Sequence, residues 1–248
     1  MSNPAPITLA QLFRFYRGLP HQTAAITQLE RDLLVNGYEV AMRRDREWFH
    51  VWSQDGKQPE QAAPPPPPPL RPAALMLDRV PYFQQNDNAS GTGYRECFSS
   101  SCAMVAAFWG MVRSDDEYNR VRAPFGDTTD AQAQIAALRK LGLDARLVTN
   151  AAPGLLETEL RAGRPVAVGW LHRGPISAPT GGGHWSVVIG FDPDDWIHHD
   201  PNGEADMVRG SYLNHSGGKE VHYSRKNWGR RWEADGPSTG WAMLIKPL

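Results

Sequence analysis

The chain has 248 residues, of which 41% are hydrophobic and 21% are charged, with a formal net charge of −1 and a pI of about 6.7. This composition is typical of a globular protein of one or two domains, and it gives no electrostatic reason to expect a nucleic acid or an anionic membrane as partner. Because no run of about 18 apolar residues is present, we predict no membrane span. Residues 1–20 lack a continuous apolar segment, so we expect no signal peptide, and no motif indicates a cofactor.

Residues 1–57 are predicted to form a small, mainly helical N-terminal module. Thr8 and Gln11 have the spacing of a capping box at the start of one helix. Apolar residues at helical spacing predict a second helix over 22–35, and a short hairpin is expected within 38–53. The module is either a structural appendage docked on the rest of the chain or a separate binding unit, and both alternatives stay open.

A proline-rich linker separates this module from the remainder of the chain. Residues 58–74 include an unbroken proline run from Pro64 to Pro69, and six prolines in a polyproline II helix extend by roughly 19 Å. The linker is therefore a semi-rigid spacer, and a second domain is predicted over 75–248.

The second domain contains a cysteine at the predicted start of a buried helix. Cys97 follows a turn-like segment, 91–94, and precedes apolar positions such as Met104 at helical spacing; the helix is predicted to end near Val112. A helix N-terminus stabilises a thiolate through its unpaired N–H groups and partial positive charge, which favours a nucleophile. The alternative is a small, inert core residue. Cys102 is expected to be such a residue, because a continuous helix would hold it too far from Cys97 for a disulfide.

Helices mostly precede strands in the second domain. Helices are predicted over 114–122, 130–142 and 153–162. Strands are predicted over 145–149 and 165–170. This order indicates an α+β fold rather than alternating βαβ units.

Two further predicted strands form a hairpin that carries a histidine and an acid. Three glycines, 181–183, lead into a buried strand that begins at His184, and the next strand ends at Asp200, with 192–195 as the hairpin tip. Side chains on adjacent strands lie within about 5 Å of each other. His184 and Asp200 could therefore act as base and orienting acid for Cys97.

The histidines of the second hairpin strand do not indicate a metal site. His198 and His199, with Asp192 and its neighbouring aspartates, offer possible ligand types. Adjacent residues of a strand point to opposite faces, so the two histidines cannot readily share one ion. We therefore expect no metal.

With these residues in view, the chain resembles the bacteriocin-processing-like cysteine peptidases, family thirty-nine of the papain-like group, over about 80–241. The segment Val80-Pro81-Tyr82-Phe83-Gln84-Gln85-Asn86-Asp87-Asn88 is similar to the first motif of that family, and the sequence around Cys97 to its nucleophile motif. The resemblance implies Cys97 as nucleophile, His184 as base, Asp200 as orienting acid and Gln85 as oxyanion-hole residue. Gln84 is the alternative to Gln85, and Asn202 is the alternative to Asp200.

The same resemblance implies a papain-like fold, in which the nucleophile helix packs on an antiparallel sheet. One local departure stands beside the nucleophile. Phe98-Ser99 occupies the place where the family commonly has Gly-Pro, which leaves the packing around the site open.

The C-terminal third is similar to phage-encoded members of this family that are taken as candidate endolysins. The segments that carry this similarity include Asp200-Pro201-Asn202-Gly203-Glu204 and Gly240-Trp241-Ala242. The resemblance implies a peptidoglycan peptidase or amidase. Such a protein is made in the host cytoplasm and reaches the wall by lysis, a holin-like pore or another carrier. The alternatives are a protein-processing peptidase and an inactive papain-like module that binds peptides or builds a virion.

Overall fold

The computed structural model describes residues 42–45, 48–51 and 74–248. The chain divides into two compact units, Met1–Arg71 and Pro72–Leu248. In the first unit, strands β1 (Met42–Asp45) and β2 (Trp48–Val51) pair antiparallel, with Met42 opposite Val51. This confirms the short hairpin expected within 38–53. The helices predicted within 7–36 and the linker up to residue 73 lie outside the described residues.

Five helices are described in the second unit, and their starts follow local capping chemistry. Ser114 accepts a hydrogen bond from the Glu117 N–H at 3.1 Å, and Asp130 accepts one from the Gln132 N–H at 2.8 Å. The helices that begin at Cys97, Asp115, Ala131 and Pro153 start within a residue or two of the predicted positions, whereas the helix that begins at Arg225 has no predicted counterpart. The helices are α1 (Cys97–Phe108), α2 (Asp115–Arg122), α3 (Ala131–Lys140), α4 (Pro153–Arg161) and α5 (Arg225–Trp232).

Helix α1 ends at Phe108, before the predicted end near Val112. Gly110 adopts a left-handed conformation with φ of +77°. The Gly110 N–H donates to the Ala107 carbonyl and the Met111 N–H to the Ala106 carbonyl, each at 2.9 Å. This is a Schellman motif, which uses the last helical carbonyls and turns the chain away from the helix axis.

The second unit has nine described strands, which are β3 (Leu75–Met76), β4 (Leu143–Ala151), β5 (Val166–Trp170), β6 (His184–Phe191), β7 (Asp195–His199), β8 (Ala205–Asp206), β9 (Ser211–Tyr212), β10 (Val221–Ser224) and β11 (Gly240–Pro247). The central sheet is antiparallel, with the order β10-β7-β6-β5-β11-β4, and the short β3 also pairs with β6. A separate two-stranded ribbon, β8–β9, lies outside this sheet. With the helices, this arrangement confirms the predicted α+β fold.

Each face of the sheet packs on its own hydrophobic core. Alternate residues of a strand point to opposite faces, so Ala167 of β5 joins the core beneath α1, whereas Val166 and Val168 join the core on the other face. Nine residues of α1 are buried. The sheet and helix α1 thereby hold the first turn of α1 and the start of β6 in fixed positions. Among the described residues, no helix has the length and apolarity needed to cross a membrane.

Candidate active site

Cys97 is the first residue of α1, as the sequence predicts. Its side chain is partly exposed and its thiol is free. The first N–H groups of a helix have no partner within the helix, so unpaired donors and a partial positive charge lie at the end of α1 that carries Cys97. Cys102 is also free and is fully buried; burial raises the pKa of its thiol, which confirms it as an inert core residue.

His184 and Asp200 lie on the predicted hairpin. Strands β6 and β7 pair with Val187 opposite His199, and the Asp192 N–H donates to the Asp195 carbonyl at 3.0 Å across the tip. His184 is the first residue of β6, and Asp200 directly follows β7. In this register the two side chains are diagonal neighbours on one face, and the His184 Nε2 atom lies 2.7 Å from Asp200 Oδ1.

The imidazole of His184 also contacts Cys97. Burial by itself lowers the pKa of His184, but the charge of Asp200, the hydrogen bond to it and the hydrogen bond to Cys97 together raise that pKa to about 10. Because Nε2 faces Asp200, Nδ1 is the ring nitrogen left for the thiol. The structure thus brings the three predicted residues into one hydrogen-bonded chain with the imidazole of His184 at its centre.

Asp200 is fully buried, its carboxylate is fixed by two further donors, and a third donor binds its backbone carbonyl. The Tyr223 hydroxyl donates to Oδ2 at 2.9 Å, and the Asn202 backbone N–H donates to Oδ1 at 3.0 Å. The Tyr82 hydroxyl donates to the Asp200 carbonyl at 3.2 Å. The Asn202 side chain is used elsewhere, since its Oδ1 accepts a hydrogen bond from Asn86 at 3.0 Å. The structure therefore places Asp200, and not Asn202, against the histidine.

Gln85 is buried in a short 3₁₀ turn, Gln85–Asp87, close to the N-terminus of α1. Its Nε2 donates to the Gly93 carbonyl at 2.8 Å, which uses one of the two amide hydrogens. Gly93 belongs to the turn directly before Cys97, and a side chain there would collide with the Gln85 carbonyl. Gln84 instead donates to the His215 carbonyl at 2.5 Å.

Three aromatic residues that no sequence motif indicates surround His184. The ring centroid of Trp170 lies 5.1 Å from that of His184, the centroid of His172 lies at 5.6 Å and that of Tyr212 lies at 5.8 Å. The only sequence signal for any of these three residues is that Trp170 ends the strand predicted over 165–170. They shield the imidazole from bulk water, which strengthens its interaction with Asp200.

The two adjacent histidines of β7 have separate surroundings. His198 Nδ1 lies 3.0 Å from Ser186 Oγ, whereas His199 Nε2 lies 3.0 Å from the Val80 carbonyl. The prediction that they point to opposite faces is confirmed. Among the described residues, one group has ligand atoms close enough for a metal ion, namely Asp192, Asp195 and His222. This group lies around the β6–β7 tip, at the opposite end of β6 from His184.

A family model described as "Papain-like cysteine protease AvrRpt2" matches residues 77–212, which is more than half of the chain and includes Gln85, Cys97, His184 and Asp200. The chain belongs to this papain-like cysteine protease family. The predicted papain-like group is thereby confirmed, although the matching family model is not the bacteriocin-processing one. A comparison with curated proteins finds no match.

Solved structures similar to this papain-like protease include C39 peptidase domains. A C39-like peptidase from Bacillus anthracis has a TM-score of 0.50 at 15% identity, covering 70% of this chain and 98% of its own. The peptidase domain of Streptococcus ComA, a bifunctional ABC transporter, has a TM-score of 0.47 at 21% identity, covering 68% and 100%. A double-glycine-motif protease from an AMS/PCAT transporter, solved with a leader peptide, has a TM-score of 0.45 at 20% identity, covering 71% and 98%. The first of these likenesses shows the fold.

Proposed function

We propose that this cysteine protease hydrolyses amide bonds of bacterial peptidoglycan with a Cys97–His184–Asp200 triad, as a phage lysin. The observation that carries the catalytic assignment is the hydrogen-bonded chain of these three side chains, in which Asp200 lies 2.7 Å from the histidine. A thiol at a helix N-terminus beside a protonated imidazole is the arrangement of an activated cysteine nucleophile.

The first step forms a thioester. A protonated His184 stabilises the Cys97 thiolate as an ion pair, and Asp200 holds the ring in the orientation in which Nδ1 faces the sulfur. The thiolate attacks the amide carbonyl, so that a sulfur–carbon bond forms. His184 then gives its proton to the leaving nitrogen as the carbon–nitrogen bond breaks.

The oxyanion of the tetrahedral intermediate needs donors in fixed positions. The Cys97 backbone N–H is one such donor, and the second amide hydrogen of Gln85 is the other. In the second step water gives a proton to neutral His184 and attacks the thioester. The acid is released, and the thiolate and the imidazolium are restored.

A wall substrate is supported by the similarity of the C-terminal third to phage-encoded candidate endolysins. In that role the protein is made in the host cytoplasm and acts on the wall after lysis or passage through a holin-like pore. The peptidase domain would span 75–248, with the linker over 58–74 as a spacer from the module of 1–57.

Mass spectrometry of purified peptidoglycan tests this proposal. The wild type is expected to create new amine and carboxyl termini at one type of bond, and Cys97→Ser is expected to create none. Cys102→Ser is the matched control, because the Cys102 thiol is buried and lies outside the site. No new termini with the wild type, while the Cys97 thiol still reacts with an alkylating probe, would overturn the wall substrate and keep the nucleophile.

The second candidate function is a peptidase that processes proteins. The family description, which names a protease, favours it. Incubation with a peptide library distinguishes the two functions, since a processing peptidase cuts a defined peptide sequence and leaves purified wall fragments intact.

A further inference from the structure

An arginine stands at the rim of the site without an acidic partner. Arg173 is exposed, and its Nε donates to His172 Nε2 at 3.2 Å. Within residues 74–248 no carboxylate pairs with this guanidinium, and its two Nη groups make no hydrogen bond to the protein. A guanidinium is always charged, so Arg173 presents an uncompensated positive charge to solvent.

The backbone that carries Arg173 is held firmly. Its N–H donates to the Thr180 carbonyl at 3.0 Å and its carbonyl accepts from the Thr180 N–H at 2.8 Å. The same carbonyl accepts from Nη1 of Arg231, a buried residue whose guanidinium also binds the carbonyls of Leu171 and Gly174. The charge therefore stands on a fixed loop.

This loop leads directly to the histidine of the triad. A Cβ added at Gly181 would lie 3.5 Å from the Cβ and Cγ of Arg173 and 3.5 Å from Cε1 of His172. The stem of Arg173 thus lies beside Gly181, the first residue of the glycine segment 181–183, which has no side chains to obstruct a ligand. The ring of His172 lies between the guanidinium and His184, 5.6 Å from the latter ring.

His172 acts as a neutral support for the arginine. Its Nε2 accepts the hydrogen bond from Arg173, so it carries no proton there. Burial, followed by the charges of His184 and Arg173, lowers the pKa of His172 to about 4. The contact fixes Nε of the guanidinium and leaves both Nη groups without a hydrogen-bond partner among residues 74–248.

We propose that Arg173 binds a free carboxylate of the substrate beside His184 and the bare backbone of 181–183. Two Nη donors of one guanidinium match the two oxygens of a carboxylate. The inference rests on the proposed function and deepens it by naming the substrate class, an acidic peptide such as a peptidoglycan stem peptide with a free carboxylate.

Two alkylating probes test this without requiring amide hydrolysis. Iodoacetyl-glutamic acid α-amide and iodoacetyl-glutamine α-amide differ only in carboxylate against carboxamide, and both modify Cys97. We expect the wild type to react about tenfold faster with the acidic probe, and Arg173→Gln to react equally with both. Arg173→Lys keeps the charge without the planar donor pair, and should retain part of the preference.

The matched control is Arg209→Gln, which removes another exposed arginine, one that lies 3.9 Å from Asp206. It should keep the full preference of the wild type. An equal rate with both probes in the wild type, or an unchanged preference in Arg173→Gln, would overturn the assignment of Arg173. An unchanged rate with the neutral probe verifies that the variant is folded. The alkylation result does not depend on the outcome of the wall-cleavage experiment, because the alkylation rate of Cys97 measures recognition of a carboxylate at the site and requires no cleavage of peptidoglycan.

Discussion

The ring of Phe98 stacks on the indole of Trp185, with ring centroids 3.7 Å apart and planes 7° from parallel. Each residue directly follows a member of the triad, since Phe98 comes after Cys97 and Trp185 after His184. The stack therefore fixes the first turn of α1 against the start of β6. It also explains the departure from the bacteriocin-processing pattern, because the aromatic ring that replaces the usual glycine has a partner.

Replacement of Phe98 by alanine should destabilise the fold and misplace the thiol. Loss of a buried phenylalanine costs about 3–5 kcal/mol, and Phe98 is 3% exposed. Urea unfolding should show this loss, together with slower alkylation of Cys97 under conditions where the variant remains folded. Phe125→Ala, which removes a 45% exposed ring, is the control and should change stability by less than about 1 kcal/mol. Equal stabilities of the two variants would contradict the role of the stack.

Asp200→Asn should lower kcat at least about 100-fold, because an amide removes the charge that holds the imidazolium and can present the wrong atom to Nε2. Asn202→Ala removes the side chain that is bonded to Asn86 and leaves the backbone N–H that binds Asp200. It should lower kcat by less than about threefold. Steady-state hydrolysis of one peptide substrate measures both. A larger loss in Asn202→Ala than in Asp200→Asn would reverse the assignment of the orienting residue.

Gln85→Ala should lower kcat by about 10²–10³ with little change in KM, which is the effect of removing one oxyanion donor. Gln84→Ala is the matched control, because Gln84 binds the His215 carbonyl and should have a small effect. The alkylation rate of Cys97 is expected to stay near that of the wild type in both variants, since alkylation forms no oxyanion. Comparable losses of kcat in the two variants would show that Gln85 is not the donor.

The pH dependence should follow His184. Its folded-state pKa of about 10 exceeds the ordinary value of 6.5, so the stability that it contributes is fully present below about pH 6.5 and is lost as the pH rises through about 10. Hydrolysis should fall over the upper part of this range, because the imidazolium that protonates the leaving nitrogen disappears. In Asp200→Asn the fall should move to lower pH, since the charge of Asp200 is the largest cause that raises this pKa. An unmoved profile would refute that cause.

The sequence by itself determined the local elements and the identity of the predicted site. Helix α1 begins at Cys97 because a turn precedes it and helical spacing follows it, and Ser114 and Asp130 start the next helices by capping. The β6–β7 hairpin follows from three glycines, a run of mostly apolar residues and a short acidic tip. These signals extend over fewer than about 20 residues, so the residue order alone carries them.

Only the tertiary structure decided the relationships between distant segments. Strand β11, which has no counterpart among the predicted elements, lies between β5 and β4, and Tyr223 reaches the Asp200 carboxylate from β10. The sequence predicts that α1 ends near Val112 rather than at Phe108, because apolar residues continue beyond Gly110. Hydrogen bonds between strands and contacts between rings form across long sequence separations, and they leave no periodic pattern in either segment; the chain therefore reveals them only when it is folded.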